Sequence, residues 1–170
     1  MSIFKRTKKA ISVDDLSIMM LAASQGLEQG VEEKVLRAID GMKNVDERGA
    51  SDGRTLLMHC SFYNCPSVLC TLIDRGADLN LQDDGGFTAL HAAVNSGNYE
   101  ITKILLDHGA RTDIRDSYGN PPLLRASHRF PEIVKLLVEH GCDVHEKNNY
   151  GVCAFDMFAA YPDILEILGD

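Results

Sequence analysis

His91 stands alone in the stretch Gly85-Gly86-Phe87-Thr88-Ala89-Leu90-His91-Ala92-Ala93-Val94-Asn95-Ser96-Gly97, whose other residues are mostly small or apolar. An imidazole there could serve as a general base, a metal ligand or a structural hydrogen-bonding group. The thiols are the other candidates. Cys60, Cys65 and Cys70 are separated by four residues each, unlike the two-residue spacing of a zinc knuckle. His145 follows Cys142 by three positions, a weak metal-ligand spacing, and Cys153 has no nearby histidine. An enzyme or metal protein would have to be assembled from His59, Cys60, His91 or His128. No Gly-rich phosphate loop, nucleophile elbow or His-Glu-x-x-His run is present. The acid pairs Asp14-Asp15, Glu32-Glu33 and Asp83-Asp84 lack an apolar pocket and read as capping and solvated groups. The expectation is a protein with no catalytic residue, no metal site and no cofactor.

The elements around these residues follow a period. Thr55-Leu56-Leu57 recurs as Thr88-Ala89-Leu90 and as Pro121-Pro122-Leu123, in steps of 33 residues. Unit ends repeat as Asp74-Arg75-Gly76-Ala77-Asp78, Asp107-His108-Gly109-Ala110 and Glu139-His140-Gly141-Cys142-Asp143. Between them, Leu90, Ala93 and Val94, then Ile101, Ile104, Leu105 and Leu106, recur at helical spacing. Turn signals such as Asp83-Asp84-Gly85-Gly86 and Asp116-Ser117-Tyr118-Gly119 precede each helix pair. One such unit has too little core to stand alone, so its apolar faces must be buried by its neighbours in a solenoid. In this register Cys60, Cys65 and Cys70 fall on a first helix, a turn and a second helix. They should not converge, and they read as small hydrophobes.

The run Gly86-Phe87-Thr88-Ala89-Leu90-His91, closed by Ile104-Leu105-Leu106-Asp107-His108-Gly109-Ala110, resembles the ankyrin repeat. The fold class implied is all-α, a solenoid of helix-turn-helix units joined by β-hairpin-like loops. Residues 1–12 form a basic tail and 13–170 a single domain. Within that domain the expectation is an N-terminal cap over about 13–49, full repeats over about 50–82, 83–115 and 116–147, and a C-terminal cap over about 148–170. Met19-Met20-Leu21-Ala22-Ala23-Ser24-Gln25-Gly26 matches the first-helix pattern of the N-terminal cap, with Val35, Leu36 and Ile39 in its second helix. The C-terminal cap rests on Phe155, Met157, Phe158, Ile164, Leu165 and Leu168. The repeat after Asp116 departs from the pattern, with His128-Arg129-Phe130-Pro131 in place of the glycine-containing linker. The resemblance implies that Thr88 caps the first helix and that His91 hydrogen-bonds within and between hairpins. Met58 and Leu124 occupy the equivalent positions, which fits a structural histidine and leaves a private role open.

Apolar residues make up 45% and charged residues 25%, the balance of a folded chain. No apolar run approaches the roughly 18 residues of a membrane span, and the N-terminus lacks the hydrophobic stretch and cleavage site of an export signal. An odd number of cysteines fits a reducing, cytoplasmic setting. The net charge is −8, yet Lys5, Arg6, Lys8 and Lys9 lie within the first ten residues, so the remainder carries −12. Such a body repels nucleic acid and would steer in a basic protein, such as a toxin or enzyme.

The resemblance places recognition at the hairpin tips and on the concave face of the first helices. Tip positions are Ser51, Asp52 and Arg54, then Asp84, Gly85 and Phe87, then Ser117, Tyr118 and Asn120, then Asn149, Tyr150 and Val152. The first helices end in Phe62-Tyr63, Asn95-Ser96 and His128-Arg129. From these, the predicted partner-binding set is Arg54, Phe62, Tyr63, Asp84, Phe87, Asn95, Ser96, Tyr118, Asn120, His128, Arg129 and Tyr150. With six Phe, five Tyr and no Trp in the chain, the rings at 62, 63, 87, 118 and 150 stand out as binding anchors. The expected protein is a monomeric inhibitor or immunity-type binder of another protein. The alternative is an adaptor that joins partners without inhibiting them, its basic tail engaging the second.

Overall fold

The computed structural model describes residues 12–24 and 30–169. The basic cluster from Lys5 to Lys9 and the Gln25-Gly26 end of the first helical pattern lie outside the described residues. In chain order the helices are α1 (Val13–Ser24), α2 (Val31–Asp40), α3 (Leu56–Tyr63), α4 (Pro66–Asp74), α5 (Ala89–Ser96) and α6 (Tyr99–Asp107). A 3-10 turn (Pro122–Arg125) follows, then α7 (Pro131–Glu139), α8 (Ala154–Met157) and α9 (Pro162–Leu168). Among the described residues there is an isolated bridge, Arg48 to Thr55, and no strand. None of these helices is long and apolar enough to cross a membrane.

Helices of eight or nine residues are too short to persist alone, and stacking supplies what propensity does not. First helices α1, α3 and α5, the 3-10 turn and α8 make one layer. The second helices α2, α4, α6, α7 and α9 make the other. Leu56, Leu57, Leu90, Val94, Ile101, Leu105, Ile133 and Leu137 are sealed between the layers, each worth about 1.5–3 kcal/mol of burial. Helix starts are set locally. Thr55 Oγ1 accepts the Met58 amide at 3.4 Å, and Thr88 Oγ1 accepts the His91 amide at 3.3 Å. Prolines occupy the first turns of α4, α7 and α9, where no amide donor is needed.

The third unit corrects the expectation of a helix pair. Its first arm is a single 3-10 turn that ends at Ala126, with φ −67° and ψ 142°. Two causes combine. Pro121-Pro122 replaces the capping threonine, and one residue fewer is available before α7, so a full first helix would leave no chain for the turn. Phe130, just before α7, fills the gap by laying its ring on Gly97, the αL cap of α5 at φ 74°. A Cβ on Gly97 would collide with that ring. Gly97→Ala therefore combines left-handed strain with displacement of Phe130, and an expected loss of about 2–4 kcal/mol is checked by urea unfolding.

Candidate functional site

The hairpins between helix pairs are tied tip to tip by their backbones. The Asp84 amide donates to the Asp52 carbonyl at 3.1 Å, Ser117 to Gly85 at 3.0 Å and Asn149 to Tyr118 at 3.1 Å. Behind them runs a side-chain relay of period 32 to 34. Arg48 Nε donates to the Gly53 carbonyl and its second nitrogen to that of Gln82; Gln82 Nε2 donates to Gly86 and Arg115; Arg115 donates to Gly119 and Lys147. Each link bonds its own hairpin and the next.

At the base of the second, third and fourth tips one side-chain oxygen gathers the loop, whereas the first has Ala50 at that position. Asp83 Oδ1 accepts the amides of Gly85 and Phe87 at 2.9 and 2.8 Å. Asp116 Oδ1 accepts those of Tyr118 and Asn120 at 2.8 and 3.0 Å, and Asn148 Oδ1 those of Tyr150 and Val152 at 2.9 and 3.1 Å. The second carboxylate oxygen then takes a cation. Arg54 Nε reaches Asp83 Oδ2 at 3.1 Å, and the Arg125 guanidinium closes on Asp116 Oδ2, with Nε at 2.6 Å. Burial pushes the Asp116 carboxyl up, but the Asn120 amide, Arg125 and the Tyr118 amide outweigh it and hold it below its ordinary 3.8.

His91 belongs to the same framework. Its Nδ1 accepts the Thr88 amide at 3.2 Å while its Nε2 donates to the Asn120 carbonyl of the next hairpin at 3.1 Å. This network assigns the neutral Nε2–H tautomer. Burial holds its pKa below 6.5.

The acid pairs separate by role. Asp15 and Ser12 exchange hydrogen bonds at the start of α1, while Asp14 reaches the Ala50 amide at 3.2 Å. Glu33 pairs with Arg37 on the exposed face of α2, and Asp84 remains largely in solvent beside the buried Asp83.

Of the predicted set, Phe62, Asp84, Asn95, Tyr118, His128, Arg129 and Tyr150 are exposed. Tyr150, 73% exposed, protrudes furthest among the large hydrophobic side chains. Tyr63 and Phe87 are half-buried. Tyr63 meets Phe62 edge-on at 5.2 Å, and Phe87 lies 5.4 Å from His91. Ser96 is half-buried, its Oγ enclosed without a hydrogen-bond partner among the described residues. Two members are corrected. Asn120 is buried, because its amide spans Asp116 and Asn148, the latter at 2.8 Å. Arg54 is committed to Asp83, with Asp52 at 3.4 Å, and offers no free cation.

Three residues outside the predicted set shape the face. Arg125 stacks its guanidinium over Phe87 at 4.8 Å and Tyr118 at 5.5 Å, joining two successive tips. Its 33-residue step from His59 through Ala92 was the available signal. His59 itself is 93% buried, its Nε2 without a hydrogen-bond partner among the described residues, and burial lowers its pKa. Tyr161 stacks on His128 at 4.3 Å. It precedes α9 as Asn98 precedes α6, so repeat counting gives no hint of its place on this face.

No group of three or more His, Cys, Asp or Glu side chains among the described residues could hold a metal ion. Burial raises the Cys60 thiol well above its ordinary 9.0, raises Cys65, and pushes Cys142 up to about 12. Such thiols stay protonated at neutral pH and make poor nucleophiles. In native protein exposed Cys70 should label first with a thiol dye and buried Cys60 only on unfolding; rapid labelling of Cys60 would contradict this placement.

Acid should act through the histidines. The unfolded imidazole protonates from 6.5 downward while folded His91 resists, so stability is full above 6.5 and falls as the pH drops toward the folded value. His59 acts in the same direction. Urea midpoints measured from neutral pH to about pH 5 should decline, less steeply in His91→Gln and least in a His59→Gln/His91→Gln double variant.

A family model described as ankyrin repeats, in three copies, matches residues 57–148. Mouse inversin is 30% identical over 166 residues, covering 93% of this chain and 16% of inversin. An ankyrin repeat-containing protein of Schizosaccharomyces pombe is 30% identical over 122 residues, 70% of this chain and 53% of its own length. An ADP-ribosylation factor GTPase-activating protein of Arabidopsis thaliana is 45% identical over 71 residues, 41% of this chain and 9% of that protein. The chain thus spans about half or less of these relatives. Its period, its tied hairpins, its threonine caps and these matches agree, and the chain belongs to the ankyrin repeat family.

Proposed function

We propose that this ankyrin-repeat protein-interaction module occludes a basic protein partner in the manner of a non-catalytic inhibitor or immunity protein, in the cytoplasm. The observation that carries the reading is the exposure of Phe62, Tyr118 and Tyr150 on a rigidly tied framework. Exposed rings that fold stability does not require are typical binding hot spots, and two or three of them support micromolar affinity or better. The body charge of −12 outside the N-terminal cations favours encounter with a basic surface.

The test is capture of the partner from the organism that encodes the chain, repeated with Phe62→Ala, Tyr118→Ala and Tyr150→Ala. All three side chains are exposed, so thermal stability should stay within a few degrees while affinity falls about tenfold for at least one. Undiminished capture by all three variants would remove this face from the binding site. A captured partner whose activity is unaffected would favour an adaptor.

A further inference from the structure

Helix α3 ends on a left-handed residue, Asn64 at φ 58°, and the Cys65 amide turns back to donate to the Cys60 carbonyl at 3.1 Å. A closing bond of this kind brings the side chains at its two ends together at the helix terminus. Cys60 and Cys65 are therefore neighbours despite their spacing in sequence. Helix α5 closes in the same way, with the Asn98 amide on the Ala93 carbonyl at 3.0 Å, and there the paired residues carry no sulfur. Asn98 commits its side-chain amide to the Ser61 and Phe62 carbonyls of the preceding unit. The Cys65 thiol instead makes a long contact, 3.8 Å, with the Tyr63 carbonyl of its own unit. The stack needs no thiol at either position.

A third sulfur comes from the N-terminal cap. The Cys60 thiol donates to the Met20 thioether of α1, Sγ to Sδ 3.4 Å, and both residues are buried. Met20 and Cys65 line one cavity of about 190 Å³, together with Val35, Pro66 and Val68, between α1, α2 and the turn joining α3 to α4. Glu32 lines the same cavity from an exposed position and lends it negative charge. Cys65 is near enough to Cys60 to add to the effect of burial in raising that thiol. Cys70, exposed on α4, does not line the cavity.

We propose that Met20, Cys60 and Cys65 form a binding site for one soft monovalent metal ion of the Cu(I) class. The donor set decides the class. Two thiols and a thioether are soft ligands that favour Cu(I), whereas hard cations such as Mg²⁺ and Ca²⁺ require oxygen ligands. Structural zinc takes four nitrogen, sulfur or carboxylate ligands, and no third His, Cys, Asp or Glu side chain among the described residues joins the two thiols. The Cys60 and Met20 sulfurs, 3.4 Å apart, fall within the span of two metal–sulfur bonds of about 2.3 Å each. The cavity gives the ion its path to Met20 and Cys65. As each metal–thiolate bond forms, the thiol hydrogen leaves to solvent as a proton and no electron is transferred. The bound ion ties α1 of the N-terminal cap to α3 of the first full repeat.

The test is titration of the reduced protein against Cu(I) held by the chromogenic chelator bathocuproine disulfonate. The protein should withdraw one equivalent of Cu(I). Met20→Leu, which conserves volume, and Cys65→Ser should each weaken that withdrawal at least about tenfold. Cys70→Ser should leave it unchanged. Circular dichroism checks the fold of each variant, and Cys65→Ser, at a half-buried position, carries the comparison should Met20→Leu unfold. A second measurement uses Ag(I), a redox-inert substitute, on protein with isotope-labelled methionine methyl groups. One methyl resonance, assigned to Met20 by its loss in Met20→Leu, should shift while those of Met42 and Met157 stay in place. Failure to withdraw Cu(I), undiminished withdrawal by folded Met20→Leu or Cys65→Ser, or an unmoved Met20 resonance overturns the site. Loss of binding in Cys70→Ser also overturns it, since an exposed thiol would then be the ligand.

Discussion

A 33-residue helix pair leaves polar and apolar groups that only a neighbouring pair can satisfy, and every other property of this chain follows from that dependence. The apolar part is generic: leucines and isoleucines sealed between two layers. The polar part is specific. The Arg48, Gln82 and Arg115 side chains each serve two hairpins, and His91 closes its own helix cap while holding the next hairpin's carbonyl. The His91 bonds are buried, where an unpaired polar group is costly, so that link selects the stacking register as well as stabilising it.

That internal commitment sorts the surface. Asn120 and Asp116 are buried and Arg54 is ion-paired, so these hairpin residues are engaged within the stack. Those left over, Phe62, Asp84, Tyr118 and Tyr150, carry chemistry the fold does not consume. The Arg125 stack belongs to both groups. It neutralises a buried carboxylate and also stacks against two aromatic rings of successive hairpin tips.

The repeat, the all-helical architecture and the helix starts were legible because each rests on local chemistry. A threonine three positions before His91 marks a cap, and a proline marks a first helical turn. The first arm of the third unit was half legible: Pro121-Pro122 and the shortened linker stand in the sequence, but the Phe130 ring laid on Gly97 is a contact between units that periodicity does not show. At the site, periodicity identified equivalent positions but not which way each side chain turns. Asn120 is equivalent to Arg54 and Phe87, yet its burial depends on Asn148, 28 residues later. Tyr161 escaped because the shortened last unit shifts the register just where its ring meets His128.

The relay from Arg48 through Gln82 to Arg115 has a mechanical consequence. Among the described side-chain hydrogen bonds none joins residues more than 40 positions apart, so each link couples adjacent units only. Tension applied at the two ends would be carried in series, one seam after another, with no bond acting as a long-range tether. The strength of the whole stack under load is therefore set by its weakest single seam and not by the sum of its links.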